Sequence, residues 1–207
     1  MAALYKVDAE KGFKILMATY PNLVFINGLR FSGAQAFADR FKSTDVNLLF
    51  LDSIFQRLAK KFILTEDDIQ NYFAAVPHEA SIQNLDLETA LVTELHSYIN
   101  RFRRTPCVIV GNVGSVDVLL KIFDEKPFTY VYVYPEAPSF KALLVAAIET
   151  AVDTDTPKTT PFLQLASPKK SRDAKIDAYV KEMMALRKKI FKTHTEQIGH
   201  ALVILEK

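Results

Sequence analysis

Five short apolar runs, residues 23–27, 46–51, 107–110, 130–134 and 200–205, alternate along this chain with stretches whose apolar residues recur every three or four positions. Runs of this length are too short for helices. Apolar almost throughout, they suit strands covered on both faces. A parallel neighbour needs a crossover connection, and right-handed crossovers put helices on both sides of the sheet. The expected fold is therefore α/β, a three-layer sandwich around a five-stranded, mainly parallel sheet. Helical spacing covers residues 32–42, 53–62, 87–102, 115–123, 140–151 and 174–197, and Thr65-Glu66-Asp67-Asp68 has the form of a capping box opening a further helix through Tyr72 and Phe73. Residues 77–84 and 153–170 read as loops, the second rich in Thr, Pro and Lys and expected to be mobile. At 207 residues the whole chain, 1–207, fits one domain.

Ligands of such sheets bind outside the carboxyl ends of the strands. That edge would gather the turn at residues 28–35, Asp52, the turn at 111–115 and the residues after Tyr134. The first of these turns is the most informative. Gly28 and Gly33 have the spacing of a phosphate-binding loop, in which glycines let backbone N–H groups cradle phosphate, a lysine neutralises charge and a hydroxyl holds magnesium. Here the lysine and hydroxyl positions carry Ala34 and Gln35. One reading is an anion-binding turn formed by Gly28, Arg30, Ser32, Gly33, Ala34 and Gln35, with Arg30 replacing some of the lost charge. The other is a plain strand-to-helix connection whose glycines satisfy backbone geometry, with Arg30 solvated.

Net charge is +2, from 26 basic and 24 acidic residues, so no global field calls for nucleic acid or an anionic membrane. Arg187, Lys188, Lys189 and Lys192 are locally basic, but Asp173, Asp177 and Glu182 interleave with the C-terminal cations and make a solvated helix face. No early apolar run has the length or flanks of a signal peptide or membrane span. Cys107 is the only cysteine, which excludes an internal disulfide and makes a cytoplasmic setting the default. Cys107 reads as a packed thiol, and the four histidines form no ligand set, so no structural metal is expected. The alternating tyrosines of run 130–134 should fill the sheet.

Four stretches carry a family resemblance: residues 31–38 around Gly33, Phe50-Leu51-Asp52-Ser53-Ile54, Pro106-Cys107-Val108-Ile109-Val110-Gly111, and the run 130–134. In order and separation the chain resembles the cytidylate kinase-like family of P-loop nucleoside-monophosphate kinases. Arg187 and Thr195 also resemble an Arg and Thr spacing near that family's C-terminus. The resemblance implies a P-loop nucleotide-kinase-like fold, with a phosphate site at Gly28, Arg30, Ser32, Gly33, Ala34 and Gln35. It implies an acceptor site at Asp52, Arg57, Gly111 and Asn112, with Asp52 and Arg187 the catalytic candidates and ATP and Mg the cofactors such a site would take. The chain departs from the family where charge matters. Asn112 stands where an arginine follows the third strand, the helix at 140–151 has no arginine, and Gln35 occupies a position that keeps arginine in members lacking the loop lysine.

Asp52 either orients a nucleoside hydroxyl or a hydrated magnesium, or caps the helix beginning at Ser53. Arg57 either reaches a monophosphate or lies on the surface. Because phosphoryl transfer depends on positioned cations, the losses point to a kinase-like protein that binds nucleotide or phosphate with weak or lost transfer. The alternatives are a pseudoenzyme serving a protein partner or a homo-oligomer, and an active small-molecule kinase with replacement cations from Arg30, Arg57 or a neighbouring subunit.

Overall fold

A computed structural model describes residues 3–19, 21–30, 32–74, 85–102, 104–123, 126–153 and 172–206. In chain order these form β1 (Ala3–Asp8), α1 (Ala9–Thr19), β2 (Leu23–Asn27), α2 (Ala34–Asp39) continued by a 3₁₀ turn (Arg40–Ser43), β3 (Asn47–Phe50), α3 (Leu51–Phe62), α4 (Glu66–Ala74), α5 (Leu85–Arg101), β4 (Cys107–Gly111), α6 (Val116–Phe123), β5 (Thr129–Pro135), α7 (Ala137–Asp153), α8 (Arg172–Ile198) and β6 (His200–Glu206). The loop expected at 77–84 lies outside the described residues. So does the loop expected at 153–170, apart from Asp153, which ends α7.

Among the described residues the sheet has six strands, in the order β1-β6-β5-β2-β4-β3, and every pairing is parallel. This corrects the expected five. The added strand, β1, pairs with β6 from Ala3 opposite His200 to Asp8 opposite Leu205. Its mixed sequence, with Lys6 and a largely exposed Tyr5, is that of an edge rather than a core strand.

Strand alternation divides the core between the two faces. Leu23, Phe25, Cys107, Ile109, Tyr130 and Tyr132 point to one side, where α3 to α8 cover them with Leu58, Leu91, Phe123, Leu144 and Met183. Val24, Ile26, Val108, Val110, Val131 and Val133 point to the other, where Leu16 of α1 and Phe37 of α2 meet them. The tyrosines of β5 fill the sheet as expected, Tyr130 and Tyr132 being almost wholly buried. The capping box opening α4 is present: Thr65 N–H donates to Asp68 Oδ2 and Asp68 N–H to Thr65 Oγ1.

Register sets the position of the site. Asn27 lies opposite Gly111, and Phe50 opposite Val110, so β2, β4 and β3 stop nearly level and their exits share one edge. The chain order also reverses at β2, with β4 and β3 on one side and β5 and β6 on the other.

Candidate functional site

A cleft of about 640 Å³ opens at that edge. Gly28, Arg30, Ser32, Gly33, Ala34, Gln35, Asp52, Gly111 and Asn112 all line it, joined by Asp39, Phe50, Phe55, Gln70, Asn71, Leu143, Tyr179 and Met183. Of the residues expected at the site, Arg57 and Arg187 are not in the lining. The Arg57 guanidinium donates to Glu94 of α5 and to the Ser53 carbonyl, a surface tie between helices rather than a reach into the cleft.

The turn after β2 is folded by its own residues. Ser32 N–H donates to the Leu29 carbonyl at 2.9 Å, and Ala34 N–H donates to Ser32 Oγ at 3.3 Å. Gly33 has φ 84°, the left-handed conformation that a side chain makes costly. A Cβ on Gly28 would run into Ser32 Oγ. The glycine spacing therefore has a local cause, which is to let Ser32 fold beneath Gly28. Phe31, part of the family-like stretch, lies outside the described residues.

Charge around this turn is largely paired. Arg30 donates to Asp67 of α4 at 3.1 Å, and Lys42 pairs with Asp39 at 2.8 Å. Asp52 is not the helix cap considered for it: α3 begins at Leu51, its cap residue is Phe50, and Asp52 sits in the first turn, where the helix dipole favours a carboxylate. Its Oδ1 accepts from Gln70 Nε2 at 3.3 Å. The cleft wall withdraws water from the Asp52 carboxyl and raises its pKa, Arg30 opposing the rise and Glu66 adding to it. The donor set does not fit magnesium, because Gln35 replaces the hydroxyl, Ser32 Oγ is folded into the turn, and no group of three metal-ligating side chains occurs among the described residues.

The neighbouring connection after β4, whose Gly111 carbonyl accepts from Gly28 N–H at 3.4 Å, is held by a buried network. Asn27 Oδ1 accepts from Val113 N–H at 3.1 Å while Asn27 Nδ2 donates to the Val113 carbonyl at 2.9 Å and to Tyr130 Oη at 3.0 Å. His194 of α8 lies 3.0 Å from the Gly114 carbonyl through Nε2 and 2.7 Å from Tyr130 Oη through Nδ1. A carbonyl only accepts, so Nε2 carries the proton and Tyr130 donates to Nδ1. Burial pulls the His194 pKa down to about 4, the Gly114 carbonyl opposing it, and burial drives that of Tyr130 well up. Gly114 N–H donates to the Phe73 carbonyl at 2.7 Å. These bonds fix the Gly111–Ser115 connection, and with it Asn112 in the cleft.

Asn27 and His194 were not legible as site-supporting residues. The only sequence signal for Asn27 is an amide ending an otherwise apolar strand. Arg187 is buried above the Tyr134 ring, 3.5 Å from guanidinium carbon to ring centroid, and donates to the Pro135 carbonyl, while its Nε has no hydrogen-bond partner. It sits at the end of β5, one helical turn beyond the cleft residue Met183. Thr195 turns back to the carbonyls of Phe191 and Lys192.

No family model matches this chain, and no curated protein matches it. Among solved structures it is similar to an uncharacterized protein from Eubacterium ventriosum, with 13% identity, 89% of each chain covered and a TM-score of 0.44. It is also similar to TT1252 from Thermus thermophilus, with 12% identity over 90% of this chain and 89% of that one and a TM-score of 0.47. Likenesses at this level support no functional inference. No helix among the described residues is long and apolar enough to cross a membrane.

Proposed function

We propose that this chain is a nucleotide-kinase-like protein of the cytidylate kinase type, with a P-loop-derived fold, whose cleft serves binding and has lost phosphoryl transfer. One observation carries the reading. The turn after β2, Asp52 after β3 and Asn112 after β4 line a single cleft at the carboxyl edge where strand order reverses. The resemblance named those same three connections.

The placement of the described cations supports loss of transfer. Stabilising a transferring phosphoryl group takes lysine, arginine or metal aimed at its oxygens, and one such arginine is worth about 10³–10⁵ in rate. Arg30 is engaged by Asp67, Lys141 of α7 by Asp177, and Arg57 by Glu94, while Arg187 lies over Tyr134. Asp52 remains suited to accept hydrogen bonds, and Asn112 and Gln70 to give and receive them.

Calorimetric and melting titrations with ATP, CMP and their nucleosides test binding, and labelled ATP tests transfer. Saturable binding with turnover at the protein-free background is expected; ligand at 100 times its Kd should stabilise the fold by about 2.7 kcal/mol. Turnover abolished by Arg30→Ala or Asp52→Ala would instead establish an active kinase. Absence of binding by every nucleoside and nucleotide would leave a scaffold whose work lies on another surface.

A further inference from the structure

The cleft's chemistry is unequal toward the two halves of a nucleotide. We infer that it recognises the uncharged half, an aromatic heterocycle bearing hydroxyl groups, and turns phosphate away. This rests on reading the cleft as a binding site and specifies what that site selects.

Three observations point the same way. Phosphate needs donors and positive charge, yet among the described lining residues the one cation, Arg30, is held by Asp67, and Ser32 Oγ is occupied by Ala34 N–H. Second, Asp52 faces the cleft with Gln70 as its hydrogen-bond partner and, among the described residues, no ion partner within 4 Å, while Arg30 and Glu66 act on it with opposite signs. A carboxylate only accepts, so it favours hydroxyl or N–H donors and repels a group that itself carries about −1.5 to −2 charges at neutral pH. Third, apart from Asp39, which pairs with Lys42, and the Tyr179 hydroxyl, the remaining polar side chains of the lining are neutral amides: Gln35, Gln70, Asn71 and Asn112. Amides donate and accept side by side, which matches the mixed edge of a heterocycle. Phe50, Phe55 and Tyr179 supply aromatic wall, and 640 Å³ lies within the usual range for sites that enclose a small organic ligand.

The test uses the full chain titrated with cytidine, adenosine, their 5′-monophosphates and inorganic phosphate. Each nucleoside should bind at least about tenfold more tightly than its monophosphate, and inorganic phosphate should not compete. Asp52→Asn should weaken the nucleoside by about tenfold while narrowing its advantage over the monophosphate, because the same change removes an acceptor and a repulsive charge. A 2′,3′-dideoxynucleoside should lose a similar factor on the wild type and little further on Asp52→Asn. Asp52 is exposed, and an unchanged melting temperature of the variant confirms its fold. Monophosphates binding more tightly than nucleosides, or competition by inorganic phosphate, would overturn the inference and leave the binding role standing. Silence from every ligand would overturn both.

Discussion

Two connections leave neighbouring strands side by side at the cleft, Gly28 N–H donating to the Gly111 carbonyl at 3.4 Å, and beyond that bond they are held by different means. Apart from the Gly28–Gly111 bond and the partly exposed Arg30–Asp67 pair, the Gly28–Gln35 turn is closed by near neighbours, with Ser32 bonded to Leu29 and Ala34 to Ser32. The Gly111–Ser115 connection is closed by residues distant in sequence: Asn27 from β2, His194 from α8 and the Phe73 carbonyl from α4. Both position cleft residues, but only the second draws several parts of the core into one polar network. A wall fixed by long-range buried bonds fails together with the fold, whereas one fixed by local bonds can change while the fold persists.

The sharpest way to break this contrast is His194→Ala. It deletes a buried ring and leaves the Tyr130 O–H without its acceptor and the Gly114 carbonyl without its His194 donor, so a loss of about 3–5 kcal/mol is expected in urea unfolding. A loss under 1 kcal/mol would mean the clamp does not hold the wall. Acid probes the same group without mutation. With a folded pKa near 4 against an ordinary 6.5, His194 takes up its proton more readily in the unfolded chain. Its contribution is therefore complete above about pH 6.5 and falls as pH drops toward 4, by about 3 kcal/mol in all. A stability-pH curve should show that slope in the wild type and lose it in His194→Gln; equal slopes would remove the assignment.

On the local wall, Gly28→Ala drives a methyl into the buried Ser32 Oγ, so about 1–3 kcal/mol is expected with the network bonds intact. Amide exchange should rise around residues 28–35 and stay unchanged at Val113 and Gly114. The smallest effect belongs to Arg30→Ala. Its partly exposed pair with Asp67 is worth about 0–1 kcal/mol, and the melting temperature should barely move. A drop comparable to that of His194→Ala would show that the turn, too, is held from afar.

The same division governs what could be read in advance. β2 was legible to the residue as Leu23–Asn27, and β4, β5 and β6 within a residue or two, because short apolar runs between breakers have few alternatives. β1 was not. Ala-Leu-Tyr-Lys-Val-Asp is too mixed to stand out and becomes a strand only because β6 offers it an open edge. Asp52 was legible as a residue at the strand exit but not as a member of the first turn, since strand β3 stops one residue short of the apolar run.

By itself, the sequence determined the alternation of elements, the parallel sheet and the strand ends from which a site would be built, since each depends on residues close along the chain. Tertiary structure decided the pairing of Arg30 with Asp67, the turning of Arg57 to Glu94, the stacking of Arg187 on Tyr134, and the clamp through His194. Those outcomes join residues 37 to 80 positions apart, where only the folded packing can choose which group meets which partner.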